Sequence, residues 1–199
     1  MSQRLRIVAA DDESDMQDYF KKILPRLGYE VVSVASTGRE LVDQCRALRP
    51  DLVITDIKMP VMDGIEAAKQ LSAENPIPVI LVSAYHNPEL IERADSNHIM
   101  AFLVKPIKQA DLEPAIALAM RRFRQLHKVQ QEAADLRQAL ADRKTIERAK
   151  GILMKRTGLD EPAAFGRMQK IASSRNEKMF EVARHILLAE ESFQPAKDL

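Results

Sequence analysis

The chain has 199 residues, of which 46% are hydrophobic and 30% charged, and its formal net charge is +1. No apolar run approaches the roughly 20 residues needed to cross a bilayer, and the first residues lack the cleavage site of a signal peptide. This composition argues against a membrane or secreted protein and predicts a cytoplasmic one. The single cysteine, Cys45, excludes an intrachain disulfide and suits a reducing compartment.

Charge divides the chain into two parts. Residues 1–120 hold 13 Lys and Arg against 18 Asp and Glu, whereas residues 121–199 hold 17 against 11. The length and this division suit one domain of about 120 residues followed by a small one. The basic second part by itself favours a polyanionic partner only weakly.

Apolar, strand-like runs alternate with helical patterns up to about residue 118. The predicted strands are Leu5–Ala9, Val31–Val34, Leu52–Thr55, Pro78–Val82 and Ala101–Val104. Predicted helices lie near 14–27, 38–48, 64–74 and 88–96, and from 108 onward. Five such repeats with short loops predict an α/β fold with a doubly wound, five-stranded parallel sheet. Ligands of such sheets bind at the carboxyl ends of the strands.

Polar side chains stand at the ends of four of these strands. Asp11 and Asp12 follow the first strand, Asp56 ends the third, Ser83 the fourth and Lys105 the fifth. Clustered carboxylates repel one another unless a cation joins them, and oxygen ligands suit Mg²⁺. A lysine and a hydroxyl beside them can stabilise phosphoryl oxygens while a carboxylate attacks in line. The strand ends therefore predict a phosphoryl-transfer site.

The same residues carry a resemblance to the receiver domain of response regulators, which covers residues 4–120. The motifs are Asp11-Asp12-Glu13, Thr55-Asp56-Ile57-Lys58-Met59-Pro60, Met62-Asp63-Gly64, Ser83-Ala84 and Val104-Lys105-Pro106. The resemblance implies a flavodoxin-like fold, a histidine kinase as phosphoryl donor, and no enzymatic activity beyond phosphoryl acceptance and slow autodephosphorylation.

The resemblance also assigns a role to each candidate residue. Asp56 is the phosphoacceptor, Lys105 contacts the phosphoryl group, and Ser83 and Phe102 are the hydroxyl and aromatic of a conformational switch. The implied Mg²⁺ ligands are carboxylates and one carbonyl, namely Asp11, Asp12, Asp56 and the backbone carbonyl of Lys58. A phosphatase of the haloacid dehalogenase type is the alternative, but it needs a second aspartate where this chain has Lys58.

Two features depart from the receiver pattern. Pro25 removes a backbone donor late in the first predicted helix, which should kink or end it by about Leu24. Asn97 to Met100 stand where receivers usually carry a glycine turn, and Asn97 is suited to the left-handed conformation. His86 and His98 are expected at the surface rather than as ligands.

One long helix is predicted from about Asp111 to Lys155, because Pro114 lies in its first turns and no glycine precedes Gly151. Within it, apolar residues alternate in steps of three and four, as in a coiled coil: Leu126, Val129, Ala133, Leu136 and Leu140. About two heptads is a short seam. The sequence leaves open whether this seam joins two copies in a homodimer or packs on its own receiver.

A compact three-helix unit is predicted for residues 142–191. Thr157-Gly158 should end the long helix, Asp160 should cap the next, and Asn176 a third. Phe165 and Phe180 fall at core-like positions and are expected to be buried. The predicted division is a receiver at 1–120, a helical linker at 121–141, this unit at 142–191 and a frayed tail at 192–199.

The first helix of that unit has two contrasting faces. At 100° per residue, Ile146, Ala149 and Leu153 share one face, which should pack inward. The opposite face carries a basic strip with a glycine inside it: Lys144, Arg148, Gly151 and Lys155. A phosphate backbone could approach such a strip closely. The alternative is an ordinary solvated surface.

The strip lies in a segment that resembles the ANTAR domain, a transcription antitermination module. The matching runs, within residues 137–190, are Arg143 to Met154, Glu161 to Phe165 and Asn176-Glu177-Lys178. The resemblance implies dimers that bind paired stem-loops in leader transcripts. It adds Lys150, from the motif Ala149-Lys150-Gly151, to the candidate RNA-binding residues.

Two other outputs are weighed against RNA binding. A DNA-binding helix-turn-helix needs a basic recognition helix, yet the final helix holds more acids than bases: Glu177, Glu181, Glu190 and Glu191 against Lys178 and Arg184. A protein-interaction output would show no salt-dependent affinity for RNA.

Overall fold

The computed structural model describes residues 4–84 and 99–192. The chain forms two compact units, Met1–His127 and Lys128–Leu199, each with an apolar core of its own. Within the described ranges every helix is too short or too polar to cross a membrane.

The first unit contains a five-stranded sheet in the order β2-β1-β3-β4-β5, with every neighbouring pair parallel. Its strands are β1 (Arg6–Ala10), β2 (Glu30–Ala35), β3 (Leu52–Asp56), β4 (Val79–Ser83) and β5 (Ile99–Val104). Three helices lie between them within the described residues: α1 (Ser14–Arg26), α2 (Gly38–Leu48) and α3 (Gly64–Glu74). The predicted doubly wound sheet is confirmed; the predicted helix near 88–96 lies outside the described residues.

Helices cover both faces of the sheet, so its strands are apolar on both sides. Ile7 and Ala9 of β1 belong to one cluster, with Phe20 of α1. Val8 and Ala10 belong to the other, which includes residues of α2 and α3. β3 lies at the centre of the sheet, and all five of its residues are buried. The third strand is thus buried along its whole length, and it ends at Asp56.

Two boundary predictions in this unit were wrong. α1 continues through Pro25 to Arg26, because a proline so near the end of a helix removes a single hydrogen bond, from a last turn that solvent can reach. β5 begins at Ile99 rather than Ala101, with an irregular register opposite Val79 and Ile80. The expectations for Asn97, His98 and His86 fall outside the described residues.

The predicted long helix is confirmed as α4 (Gln109–Thr157), which has 49 residues. Leu112, Ile116 and Ala119, near its start, are buried in the core of the first unit. The seam is exposed: Leu126, Val129, Leu136 and Leu140 have exposed fractions of 38% to 64%. Whether this seam joins two copies or packs on the receiver stays a prediction.

The second unit packs the last part of α4 with α5 (Glu161–Arg175) and α6 (Met179–Ser192). Its buried core consists of small and flexible residues: Ala149, Met168, Ala172, Val182 and Ala183. Ile146 and Leu153 pack against it, so the predicted inward face of α4 is confirmed. The finer division at residues 120, 141 and 191 stays a prediction.

Helix ends in this unit agree with the sequence at two places and differ at one. Gly158, with a φ of +71°, follows the end of α4, and Asp160 caps α5 by accepting a hydrogen bond from the Ala163 N–H at 2.9 Å. Asn176 instead ends α5 in the left-handed conformation, and α6 begins only at Met179. The prediction that Asn176 caps the third helix was wrong, because its tolerance of positive φ suits a helix end equally well.

Candidate functional site

Three carboxylates converge at the carboxyl ends of β1 and β3. Ala10 of β1 pairs with Thr55 of β3, so the next residues, Asp11 and Asp56, lie side by side at this edge of the sheet. One oxygen from each of Asp11, Asp12 and Asp56 lies within 4.8 Å of the others. Asp11 and Asp56 are buried, whereas Asp12 is exposed. The sheet register brings together the acidic residues that the sequence predicted.

Lys105 directs its ammonium group into this cluster. Its Nζ lies 3.0 Å from Asp11 Oδ2 and 3.7 Å from Asp56 Oδ2. A third carboxylate, Glu13 Oε1, is also 3.0 Å away. Glu13 was not among the predicted site residues. Its position directly after Asp11 and Asp12 in the first motif could have indicated it.

The electrostatics of the cluster favour an additional cation. Burial raises the pKa of Asp56 to about 6, with Lys105 opposing the rise and Asp11 adding to it. Burial also raises the pKa of Asp11. Two buried acids that resist ionisation, with an exposed carboxylate beside them, form an oxygen donor set that suits a hard divalent ion.

The loop after Asp56 is held by two close backbone approaches. A Cβ on Gly64 would lie under 3.0 Å from the Asp56 carbonyl oxygen, and a Cβ on Gly38 would lie under 3.0 Å from the Met62 carbonyl oxygen. Gly38 N–H donates to this Met62 oxygen at 3.2 Å. Sequence reasoning missed Gly38, because its neighbour lies on a different loop.

The remaining receiver candidates lie beside this loop or on neighbouring strands. Ser83 is the last residue of β4, and its carbonyl accepts a hydrogen bond from the Lys105 N–H at 2.9 Å. Phe102, opposite Leu81 in the sheet, is 42% exposed. Lys58 lies two residues after Asp56 with its side chain exposed.

The basic strip of the second unit is open to solvent. Lys144, Arg148, Gly151 and Lys155 are all exposed, and a Cβ on Gly151 would meet nothing within 4 Å. Buried Ala149 lies on the other side of the helix. An extended ligand can therefore reach three cations and a stretch of bare backbone along one helix face.

Lys150 and Phe165 lie in environments that the sequence pattern did not indicate. Lys150 is only 7% exposed and forms ion pairs with Glu147 and Glu161, so it is not a member of the exposed strip. Phe165 is 43% exposed, and the prediction that it is buried was wrong. The preceding residue, Ala164, is buried instead, because neighbouring side chains on a helix point in directions about 100° apart.

Comparisons with known proteins agree with this division of the chain. The family model for the response regulator receiver domain matches residues 7–117, and that for the ANTAR domain matches residues 134–187. The transcriptional regulatory protein PdtaR of Mycobacterium tuberculosis is 40% identical over 182 residues, which cover 92% of this chain and 89% of that protein.

Two further relatives resemble the first unit. The chemotaxis protein CheY of Thermotoga maritima is 34% identical over 112 residues, covering 56% of this chain and 93% of CheY. The crystal structure of a CheY-like receiver domain protein from Methanospirillum hungatei has a TM-score of 0.57 and 28% identity, covering 60% of this chain and 96% of that one. Because the similarity to PdtaR spans both matched domains, the chain belongs to the response regulators that join a receiver domain to an ANTAR domain, and it is a two-component response regulator with an RNA-binding antitermination output.

Proposed function

We propose that Asp56 accepts a phosphoryl group from the phosphohistidine of a histidine kinase. A carboxylate oxygen of Asp56 attacks phosphorus, the O–P bond forms as the N–P bond breaks, and the electron pair leaves with the imidazole nitrogen. The observation that supports this most is the position of Lys105 Nζ, which lies 3.7 Å from Asp56 Oδ2. A fixed cation at that distance can neutralise the charge of the incoming phosphoryl oxygens.

The site also suits Mg²⁺, with oxygen ligands from the three clustered carboxylates and the Lys58 backbone carbonyl. Carboxylates of Asp11, Asp12 and Asp56 are the hard ligands that this ion prefers. Bound there, Mg²⁺ would add positive charge beside the acceptor carboxylate. We assign the Ser83 hydroxyl and the Phe102 ring to the switch that reports phosphorylation. The protein catalyses only its own phosphorylation and slow dephosphorylation.

The output surface that we assign is the exposed basic strip of α4. Lys144, Arg148 and Lys155 contact RNA phosphates, and Gly151 lets the backbone of the RNA approach the helix. The ligand class is the stem-loop pair of leader transcripts, where recognition depends on shape and on unpaired loop bases. A leader transcript as ligand supports our proposal that the protein acts in the cytoplasm.

We also propose that two copies associate through the seam of α4. Leu126, Val129, Leu136 and Leu140 leave a stripe of apolar surface in water, and pairing two such stripes in a coiled coil removes it. A homodimer presents two basic strips, which matches a ligand that carries two stem-loops.

Labelling of the acceptor tests the first part of the proposal. Acetyl phosphate and Mg²⁺ should add one phosphoryl group to the parent protein and none to Asp56→Asn, as seen by intact-protein mass spectrometry. Unchanged labelling of a folded Asp56→Asn variant would refute the assignment.

The RNA output is tested by sequencing the RNA that co-purifies with the parent protein. Recovery of DNA alone would refute the RNA-binding output.

A further inference from the structure

Lys150 is a buried cation that is paired with two exposed carboxylates. Its Nζ lies 2.5 Å from Glu147 Oε2 and 2.7 Å from Glu161 Oε1. Glu147 is one turn earlier on α4, whereas Glu161 is the first residue of α5. Lys150 therefore ties the helix that carries the basic strip to the beginning of the next helix.

The anchor on α5 is itself well placed. Glu161 stands at the positive end of the helix macrodipole, next to the cap formed by Asp160, and a negative charge there is stabilised. The hydrogen bonds that the Lys150 ammonium donates to Glu147 and then to Glu161 raise the pKa of Lys150, so its ammonium remains charged. Removing Glu161 would leave the Lys150 ammonium with one carboxylate partner instead of two, and removing Lys150 would take the shared cation away from two exposed carboxylates.

This geometry separates Lys150 from the other candidate RNA-binding cations. Lys144, Arg148 and Lys155 are exposed, and the described part of the chain gives none of them an ion pair. Lys150 would have to give up two carboxylates before its ammonium reached a phosphate.

We infer that Lys150 is a positioning residue for RNA recognition: through Glu161 it holds α5 in register with the basic strip, and it contacts no RNA phosphate. The inference rests on the RNA-binding surface proposed above. It gives Lys150 and Glu161, which have opposite charges, the same role in RNA binding.

The test compares Lys150→Gln, Glu161→Gln, the double variant and Lys144→Gln in the full-length chain. The probe is a hairpin pair sequenced from RNA that co-purifies with the parent protein. Lys144→Gln should lower the slope of log affinity against log salt by about 0.7. Lys150→Gln should weaken binding about fivefold with the slope unchanged, and should add little in the Glu161→Gln background.

Glu161→Gln distinguishes a positioning role most clearly from a purely electrostatic effect on RNA binding. Loss of a negative charge strengthens RNA binding if only long-range electrostatics operate, whereas loss of positioning weakens it. Amide hydrogen exchange of the peptide covering 159–166 gives a readout without RNA: it should become faster in Lys150→Gln and Glu161→Gln, and stay unchanged in Lys144→Gln.

Three results would overturn the inference. The first is a slope for Lys150→Gln that falls as it does for Lys144→Gln, which would make Lys150 a phosphate contact while the proposed RNA surface stands. The second is unchanged hydrogen exchange in both positioning variants. The third is a parent protein that binds no hairpin, which would refute the proposed surface as well.

Discussion

The ammonium group of Lys105 lies 3.7 Å from the Asp56 carboxylate, at the carboxyl end of the central strand. Lys105→Met keeps the length of the side chain and removes its charge. We expect phosphorylation by acetyl phosphate to slow by about 10²-fold, because a fixed cation no longer stabilises the transferred group. Stopped-flow kinetics would measure this. An unchanged rate, with the variant folded, would show that Lys105 only balances the buried acids.

Asp56 links the stability of the metal-free protein to pH. Because burial raises its pKa from 3.8 to about 6, the fold holds the protonated form more readily than the unfolded chain does. This contribution to stability is present at low pH and is lost as pH rises from about 4 to about 6.

Asp56→Asn removes the loss of stability that ionisation of Asp56 causes as pH rises. In the absence of Mg²⁺ we expect this variant to raise the free energy of unfolding by about 2–3 kcal/mol at pH near 7.5, and to change it little at pH near 4. Urea unfolding at both pH values measures the difference. Equal effects at the two pH values would contradict the assigned cause.

Gly38 should be sensitive to the smallest enlargement. A Cβ there would lie under 3.0 Å from the Met62 carbonyl oxygen, in the loop that follows Asp56. Gly38→Ala should cost about 1–3 kcal/mol of stability and slow phosphorylation as the loop shifts. Arg39→Ala, an exposed change at the next position of α2, is the control. Gly38→Ala should be less stable than Arg39→Ala and should be phosphorylated more slowly. Equal phosphorylation rates in the two variants would mean that the loop adjusts freely.

The exposed seam predicts a concentration-dependent dimer. Leu136, at 64% exposure, should lie at the centre of the pairing, and Leu136→Lys should weaken association in sedimentation equilibrium by introducing charges into an apolar contact. Leu188→Lys alters a leucine of 52% exposure outside the seam and should leave association unchanged. A parent protein that sediments as a monomer at every concentration, phosphorylated or not, would rule out the seam as an interface.

Neutralising the strip should change the salt dependence of RNA binding. Loss of all three charges, Lys144→Gln, Arg148→Gln and Lys155→Gln together, should lower the slope of log affinity against log salt by about two units per protomer. Gly151→Leu should weaken binding with the slope unchanged, since it fills open space on the same face. Lys170→Gln, an exposed cation on α5, is the control. If the strip variants bind as tightly as the parent, RNA contacts must be sought around Arg175 and Lys178.

Alternation of strands and helices, with polar residues at strand ends, was enough to predict the receiver fold and its acidic cluster. These signals are local: each strand carries its own apolar run, and parallel strands bring their carboxyl ends to one edge. Asp11, Asp56 and Lys105 therefore meet as predicted, although they are far apart in the chain. The inward face of α4, with Ala149 buried, follows in the same way from one helical period.

Other features depended on neighbours that are distant in sequence. Periodicity says which side chains share a helix face, but it does not say what lies opposite them. From the sequence, Lys150 is one more cation of a basic segment. Only the structure shows that it is paired with Glu161 of the next helix. The helical pattern predicts a buried Phe165, but in the structure Ala164 is the buried residue. Gly38 belongs to no motif, and its importance follows only from the close approach of the Met62 carbonyl oxygen. In each case the deciding contact joins separate elements, and only tertiary packing brings the partner within reach.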